Sequence, residues 1–155
     1  MSAPSDHPAA EVASNNARRD WLSLLARSAP AELAGVLPEL PDHDLLRAPE
    51  TGTVMVQGRV SATGAPFNIG EMTVTRCAVR LECGTVGHGH VQGRSHAHAR
   101  RAAIVDALMQ TDRATQLAPL LDLLRAEAKA ARDTRAAKAA ATRVEFFTMQ
   151  RGENA

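Results

Sequence analysis

Aromatic residues are nearly absent from this sequence: three Phe, one Trp and no Tyr in 155 residues. Core volume must therefore come from aliphatic side chains. Cysteine is scarce as well. Cys77 and Cys83 are too few for the disulfide framework of a small secreted domain, and no CxxC pair occurs. No run reaches the ~18 apolar residues that a membrane span requires. The N-terminus lacks the apolar core of a signal peptide, so a cytoplasmic location is expected. Charge of one sign is missing too. Eighteen basic and 17 acidic residues leave a formal net charge of +1, which argues against a dedicated binder of nucleic acid or anionic membrane. The same neutrality argues against wholesale disorder, which goes with low hydrophobicity and high net charge.

What is present in excess is alanine. Hydrophobic residues make up 45% of the chain, but 30 of them are Ala. Without Ala and Cys, 37 larger apolar side chains remain. The length suits one domain, since domains mostly run ~100–200 residues. Its private core is nevertheless thin. A thin core in an ordered chain implies that part of the burial comes from a partner.

Residues 1–14 are small, polar and Pro-containing without a period, and read as a disordered tail. Residues 15–155 then read as a single α+β domain. Ser14 or Asn15 suits the cap of a first helix, with Trp21, Leu22, Leu24 and Leu25 on its apolar side. Pro30 suits the first turn of a second helix that Pro38 and Pro41 end. The middle is β. A segment at Leu45–Arg47 precedes a Pro-Glu-Thr-Gly turn, and alternation continues through Val54–Val60, Phe67–Leu81 and Thr85–Gln92. Short connections favour an antiparallel sheet of about four strands. Ser95 is the expected N-cap of a helix running to about residue 111. A last helix starts with Leu117, Leu120, Leu121 and Leu124 and continues into an Ala-rich stretch. That stretch, with Phe146–Phe147 in an extended tail, is the expected C-terminal partner-binding arm.

The segment GHGHVQGRSHAHARR concentrates the chemistry. His88, His90, His96 and His98 are four of the six histidines, and imidazole is a common ligand of Zn, Ni and Cu. His88 and His90 would share a strand face, whereas His96 and His98 diverge at a helix start. Nearby carboxylates are sparse, so exposed or interfacial imidazoles are the competing reading. Gln92-Gly93-Arg94-Ser95 lies between a strand and a helix. A Gly-containing turn at a helix N-terminus presents free N–H groups, and Arg94, Arg100 and Arg101 add cationic donors for phosphate oxygens. It is neither a Walker loop nor GxGxxG, and an ordinary capped helix would look the same. Sixteen of the 18 basic residues are Arg, which suits bidentate contacts and interfaces, although genomic GC content biases composition the same way. Arg76 and Arg80 share a strand face, with Arg59 next to it. That row faces either a ligand or solvent. Cys77 reads as a small buried hydrophobe.

Five blocks together are distinctive: RRDWLSLLARSAPAEL (18–33), RAPETGTVMVQGRV (47–60), GEMTVTRCAVRL (70–81), VQGRSHAHARRAAIVDALMQ (91–110) and RVEFFTMQRGENA (143–155). In order and spacing they resemble the PhnG subunits of the bacterial carbon–phosphorus lyase system. The resemblance spans nearly everything except the N-terminal tail and the Ala-rich stretch near 112–142. It implies an obligate subunit of a core complex with PhnI-, PhnH- and PhnJ-type partners and an accessory ATP-binding subunit. That complex displaces adenine from Mg-ATP with methylphosphonate, giving alpha-D-ribose 1-methylphosphonate 5-triphosphate in organic phosphonate catabolism. No cofactor would be bound by this chain, and its own catalytic residue is unknown. His98, in the shared HA-R block, is the one catalytic candidate, against a structural hydrogen bond at the helix start. Gln92, Arg94, Arg59 and Arg151 fall in matching blocks and would reach a phosphate-bearing ligand or hold a partner, with the interface role favoured. Family members also carry aromatic or polar residues where His88 and His90 stand, which weakens a metal role. Two other readings compete: an autonomous metal-binding protein using the His88–His98 cluster, and a small nucleotide- or anion-binding adaptor using the Gln92–Ser95 turn.

Overall fold

A computed structural model describes residues 7–143. Helix α1 runs His7–Arg27. It starts well before the expected cap at Ser14 or Asn15, inside the segment read as a tail. Pro8 falls in its first turn, where a missing N–H costs nothing, and the residues after it are helix formers. Helix α2 is Pro30–Val36, with Pro30 at its start and Ala29 in the extended conformation before it. The Ala29 N–H donates to the Glu32 carboxylate at 3.3 Å, half of a capping box. The two helices are separate, as the prolines imply, but they do not pair as a hairpin: each packs on the later helix His96–Leu108 rather than on the other.

Strands β1 (His43–Arg59), β2 (Pro66–Leu81) and β3 (Val86–Gln92) make one antiparallel sheet in the order β1-β2-β3. The fold class is mixed α and β as expected, with three strands among the described residues where about four are expected. The segment before Pro49 and the strand after Gly52 are one strand, not two with a turn between. Register shifts between Leu45 and Arg47 and between Arg47 and Glu50 each absorb a residue. Pro49 falls between paired positions, where it owes the ladder no N–H, and Glu50, Thr51 and Gly52 pair normally with Arg76, Thr75 and Val74. β3 stops opposite Val74, so β1 and β2 continue alone as a two-stranded ribbon. Met55, Phe67 and Ile69 are exposed on that ribbon, and Val60 is exposed in the turn at its tip.

Helix α3, His96–Leu108, is the centre of the molecule. It packs on β2 and β3 on one side and meets α1 and α2 on others. Ala99, Ala102, Ala103, Ile104, Val105, Ala107 and Leu108 are all buried, as a helix covered nearly all round requires. The alanines here permit close approach. A Cβ at Gly89 would collide with the Ala99 carbonyl oxygen, and one at Gly87 with that of Ala103. Small residues on both surfaces bring the helix backbone onto the strand backbone, so dispersion contacts replace side-chain bulk. On β2, Thr75, Cys77, Val79 and Leu81 face this core, and burial pushes the Cys77 thiol pKa up.

One carboxylate ties the layers. Asp106 is fully buried. It accepts from Arg18 Nε at 3.1 Å and Nη2 at 2.7 Å, from Trp21 Nε1 at 2.8 Å and from the His88 backbone N–H at 2.9 Å. α1, α3 and the free edge of β3 thus meet on one side chain. Helix α4, Ala114–Ala141, buries Leu117, Leu120, Leu121 and Leu124, and beyond Leu124 it is almost wholly exposed. Phe146–Phe147 and the extended tail lie outside the described residues. Among the described residues, no helix is long and apolar enough to cross a membrane.

Two substitutions test this packing. Asp106→Ala leaves a guanidinium, an indole N–H and a strand N–H without their acceptor, and should cost about 3–5 kcal/mol in urea unfolding. Gly89→Ala should cost about 1–3 kcal/mol by overpacking, with the loss visible as a lower urea midpoint.

Candidate functional site

The Gln92–Ser95 turn forms as the sequence predicts. Gly93 has φ 94°, a conformation that glycine adopts without strain. Its N–H donates to the Thr73 carbonyl at 2.9 Å, and its own carbonyl accepts from Thr75 Oγ1 at 2.7 Å. Ser95 Oγ accepts from the His98 N–H at 3.2 Å and caps α3. The arginines around the turn are mostly engaged elsewhere. Arg100 Nε donates to His43 Nε2 at 2.8 Å, and Arg101 Nε reaches the Leu37 carbonyl at 3.4 Å. Arg94 is exposed. Arg59 is not brought here. It pairs with Pro66 at the far end of the ribbon, about 26 Å along β2 from the Val74–Gln92 pair at ~3.3 Å per residue. There its Nη1 donates to the Gly64 carbonyl at 3.1 Å. Arg151 lies outside the described residues.

The four histidines are divided rather than gathered. His88 and His90 are exposed on β3, opposite Ala78 and Arg76. His96 Nε2 lies 3.3 Å from Thr51 Oγ1. His98 points the other way and is buried, with 2% of its surface exposed. Among the described residues, no group of three or more His, Cys, Asp or Glu is placed to hold a metal ion. In the GHGH segment, the glycines rather than the histidines face the core.

His98 Nε2 lies 3.1 Å from Ser28 Oγ, which donates to the Leu25 carbonyl at 3.0 Å. Ser28 Oγ thus lies within hydrogen-bond distance of both the His98 ring and a backbone carbonyl. Among the described residues, Nδ1 is buried without a hydrogen-bond partner. Burial holds the His98 pKa below its ordinary value, opposed by the Glu32 carboxylate and aided by the Arg101 guanidinium. The pair has the spacing of a serine and its general base. Ser28 Oγ is shared with a backbone carbonyl, and among the described residues no carboxylate orients Nδ1. His98 instead locks the start of α3 to the α1–α2 junction.

Gln92 borders a cleft of about 350 Å³ between that junction, the end of β3 and the middle of α4. Arg27, Arg132 and Arg135 line it together with Glu32 and Glu127. Arg27 is braced by its own helix, donating from Nε to the Ser23 carbonyl at 3.0 Å and from Nη2 to Ser23 Oγ at 2.7 Å. Glu32, in the same cleft, raises the Glu127 carboxyl pKa above the ordinary carboxylate value. Ala128 and Ala131 form the α4 wall. This cleft went unread in the sequence, as did Asp106. The available signals were a lone acid in the apolar stretch Ala102–Leu108, and two arginines sharing the Ala128–Ala131 face of a helix.

The Phosphonate metabolism protein PhnG family matches residues 16–152. A relative from Rhizobium meliloti (strain 1021), named Alpha-D-ribose 1-methylphosphonate 5-triphosphate synthase subunit PhnG, is 44% identical over 141 residues. That alignment covers 88% of this chain and 90% of the relative.

The His98 environment predicts acid sensitivity. The unfolded chain takes up a proton near pH 6.5, whereas the folded chain takes it up only at lower pH. Stability contributed by neutral His98 is therefore complete above pH 6.5 and falls as the pH drops toward the depressed folded value. Urea midpoints at pH 7.5 and 5.5 should differ less in His98→Gln than in the unsubstituted chain.

Proposed function

This chain belongs to the PhnG family of phosphonate metabolism proteins, and we propose that it acts as an obligate subunit of alpha-D-ribose 1-methylphosphonate 5-triphosphate synthase. The alignment with a named synthase subunit over 88% of the chain carries this reading. The reaction joins methylphosphonate to the anomeric carbon of ATP. A phosphonate oxygen forms the new C–O bond, the C–N bond to adenine breaks, and adenine departs with a proton. Catalysis of such a displacement calls for cationic groups around two phosphorus-bearing anions and Mg²⁺ on the triphosphate. This makes the assembly a transferase with Mg-ATP as its substrate.

The chain supports the assembly without supplying its nucleophile or base. The Ser28–His98 pair is committed to structure, which fits a non-catalytic subunit. The partners are PhnI-, PhnH- and PhnJ-type subunits with an accessory ATP-binding subunit, in the cytoplasm. The PhnI-type subunit is the expected home of the displacement chemistry. The exposed apolar residues of the β1–β2 ribbon and the bare second half of α4 suit burial against such partners.

Co-expression with the three partner types tests the proposal. The chain should co-elute with them, and an assembly lacking it should release no adenine from Mg-ATP and methylphosphonate. Elution of the chain as a lone stable monomer, with synthase activity undiminished in its absence, would overturn it.

A further inference from the structure

We propose that the cleft between the α1–α2 junction and α4 binds the Mg²⁺ complex of a polyphosphate chain, Arg27, Arg132 and Arg135 taking phosphate oxygens and Glu32 and Glu127 taking the cation. The residues argue for this combination over either ion alone. Three guanidiniums disfavour a lone divalent cation. Two facing carboxylates disfavour a lone anion. A polyphosphate with a bound cation satisfies both sets, and Mg²⁺ is typically held by one or two carboxylates plus substrate phosphates rather than by an all-protein cage.

The arginines are available for this role. Along α4, Arg125 pairs with Asp122 and Lys129 with Asp133, but among the described residues Arg132 and Arg135 make no ion pair. Arg27 makes none either, and the brace from Ser23 engages Nε and Nη2, leaving Nη1 for a ligand. A guanidinium held in place by its own helix meets a phosphate at a lower entropic cost than a free one.

The carboxylates give an independent sign. Glu32 and Glu127 come from different helices yet line the same cleft, and Glu32 raises the Glu127 pKa. A cation between two carboxylates in one cleft offsets their repulsion at neutral pH. Space is present as well. Ala128 and Ala131 leave open what larger side chains would fill, and about 350 Å³ falls within the roughly 300–1,000 Å³ of small-molecule sites. The inference stands on the cleft alone and does not depend on membership in the synthase.

Calorimetric titration of the full-length chain tests it, with tripolyphosphate and with ATP, each with and without MgCl₂. Both should bind in the presence of Mg²⁺ and more weakly without it, because the phosphate chain is the shared element. Arg132→Ala combined with Arg135→Ala should weaken Mg-tripolyphosphate by about tenfold or more. Both positions are exposed on α4, so the circular dichroism spectrum should be unchanged. Glu127→Gln should retain tripolyphosphate binding but lose most of its Mg²⁺ dependence. Absence of saturable binding, equal affinity in the double variant, or equal Mg²⁺ dependence in Glu127→Gln would each overturn the assignment.

Discussion

The arrangement of this protein depends on a carboxylate that cannot be left unpaired. Asp106 is wholly withdrawn from solvent, and burying an ion costs several kcal/mol unless its lone pairs are satisfied. Four donors from two other elements meet that demand: two from Arg18 and one from Trp21 on α1, and one from the His88 backbone on β3. The consequence is geometric. α1 cannot shift along α3 without losing the forked Arg18 contact. The free edge of β3 is also covered, so it offers less template for another strand. With α1 and α3 locked, the α1–α2 junction falls against the start of α3, where Ser28 meets His98.

The second constraint is the distance between backbones. A chain with four aromatic residues cannot fill a wide interlayer space. It closes the space instead, laying the Ala99–Ala103–Ala107 face of α3 on Gly87 and Gly89. This solves the thin core for the centre of the molecule only. The ribbon beyond Thr53 and Thr73 has no third strand, and its Met55, Phe67 and Ile69 stay in water. The second half of α4 buries little because Ala is most of what it has to bury. On that helix Ala acts differently again, keeping a cleft open beside two arginines. One residue type thus permits close approach in α3 and creates an opening in α4.

Much of the local architecture was legible in the sequence. Pro30, Ser95 and the leucine spacing from Leu117 to Leu124 give the starts and buried faces of three helices, because capping and periodicity act within a turn or two. Two local readings failed for equally local reasons. A proline beside Glu-Thr-Gly looks like a turn, but a bulge accommodates it within a strand. A polar N-terminal stretch looks like a tail, but its helix formers extend α1 back to His7. The site was less legible. Gln92 does border a cleft, whereas Arg59 lies at the far end of the ribbon, because strand spacing gives a face but not how far the strand outruns its neighbours.

The sequence by itself therefore determined the types of element, most of their ends and, through five ordered blocks, the family. Those properties follow from neighbours a few residues apart or from similarity along the line of the chain. The tertiary structure alone decided which members of GHGHVQGRSHAH matter and how. It turned the glycines inward, left His88 and His90 on the surface and buried His98. It paired Arg18 with Asp106 across 88 positions, and brought Glu32 of α2 to Glu127 of α4. The physical reason is that periodicity assigns a side chain to a face, but only the stacking of elements decides what that face meets.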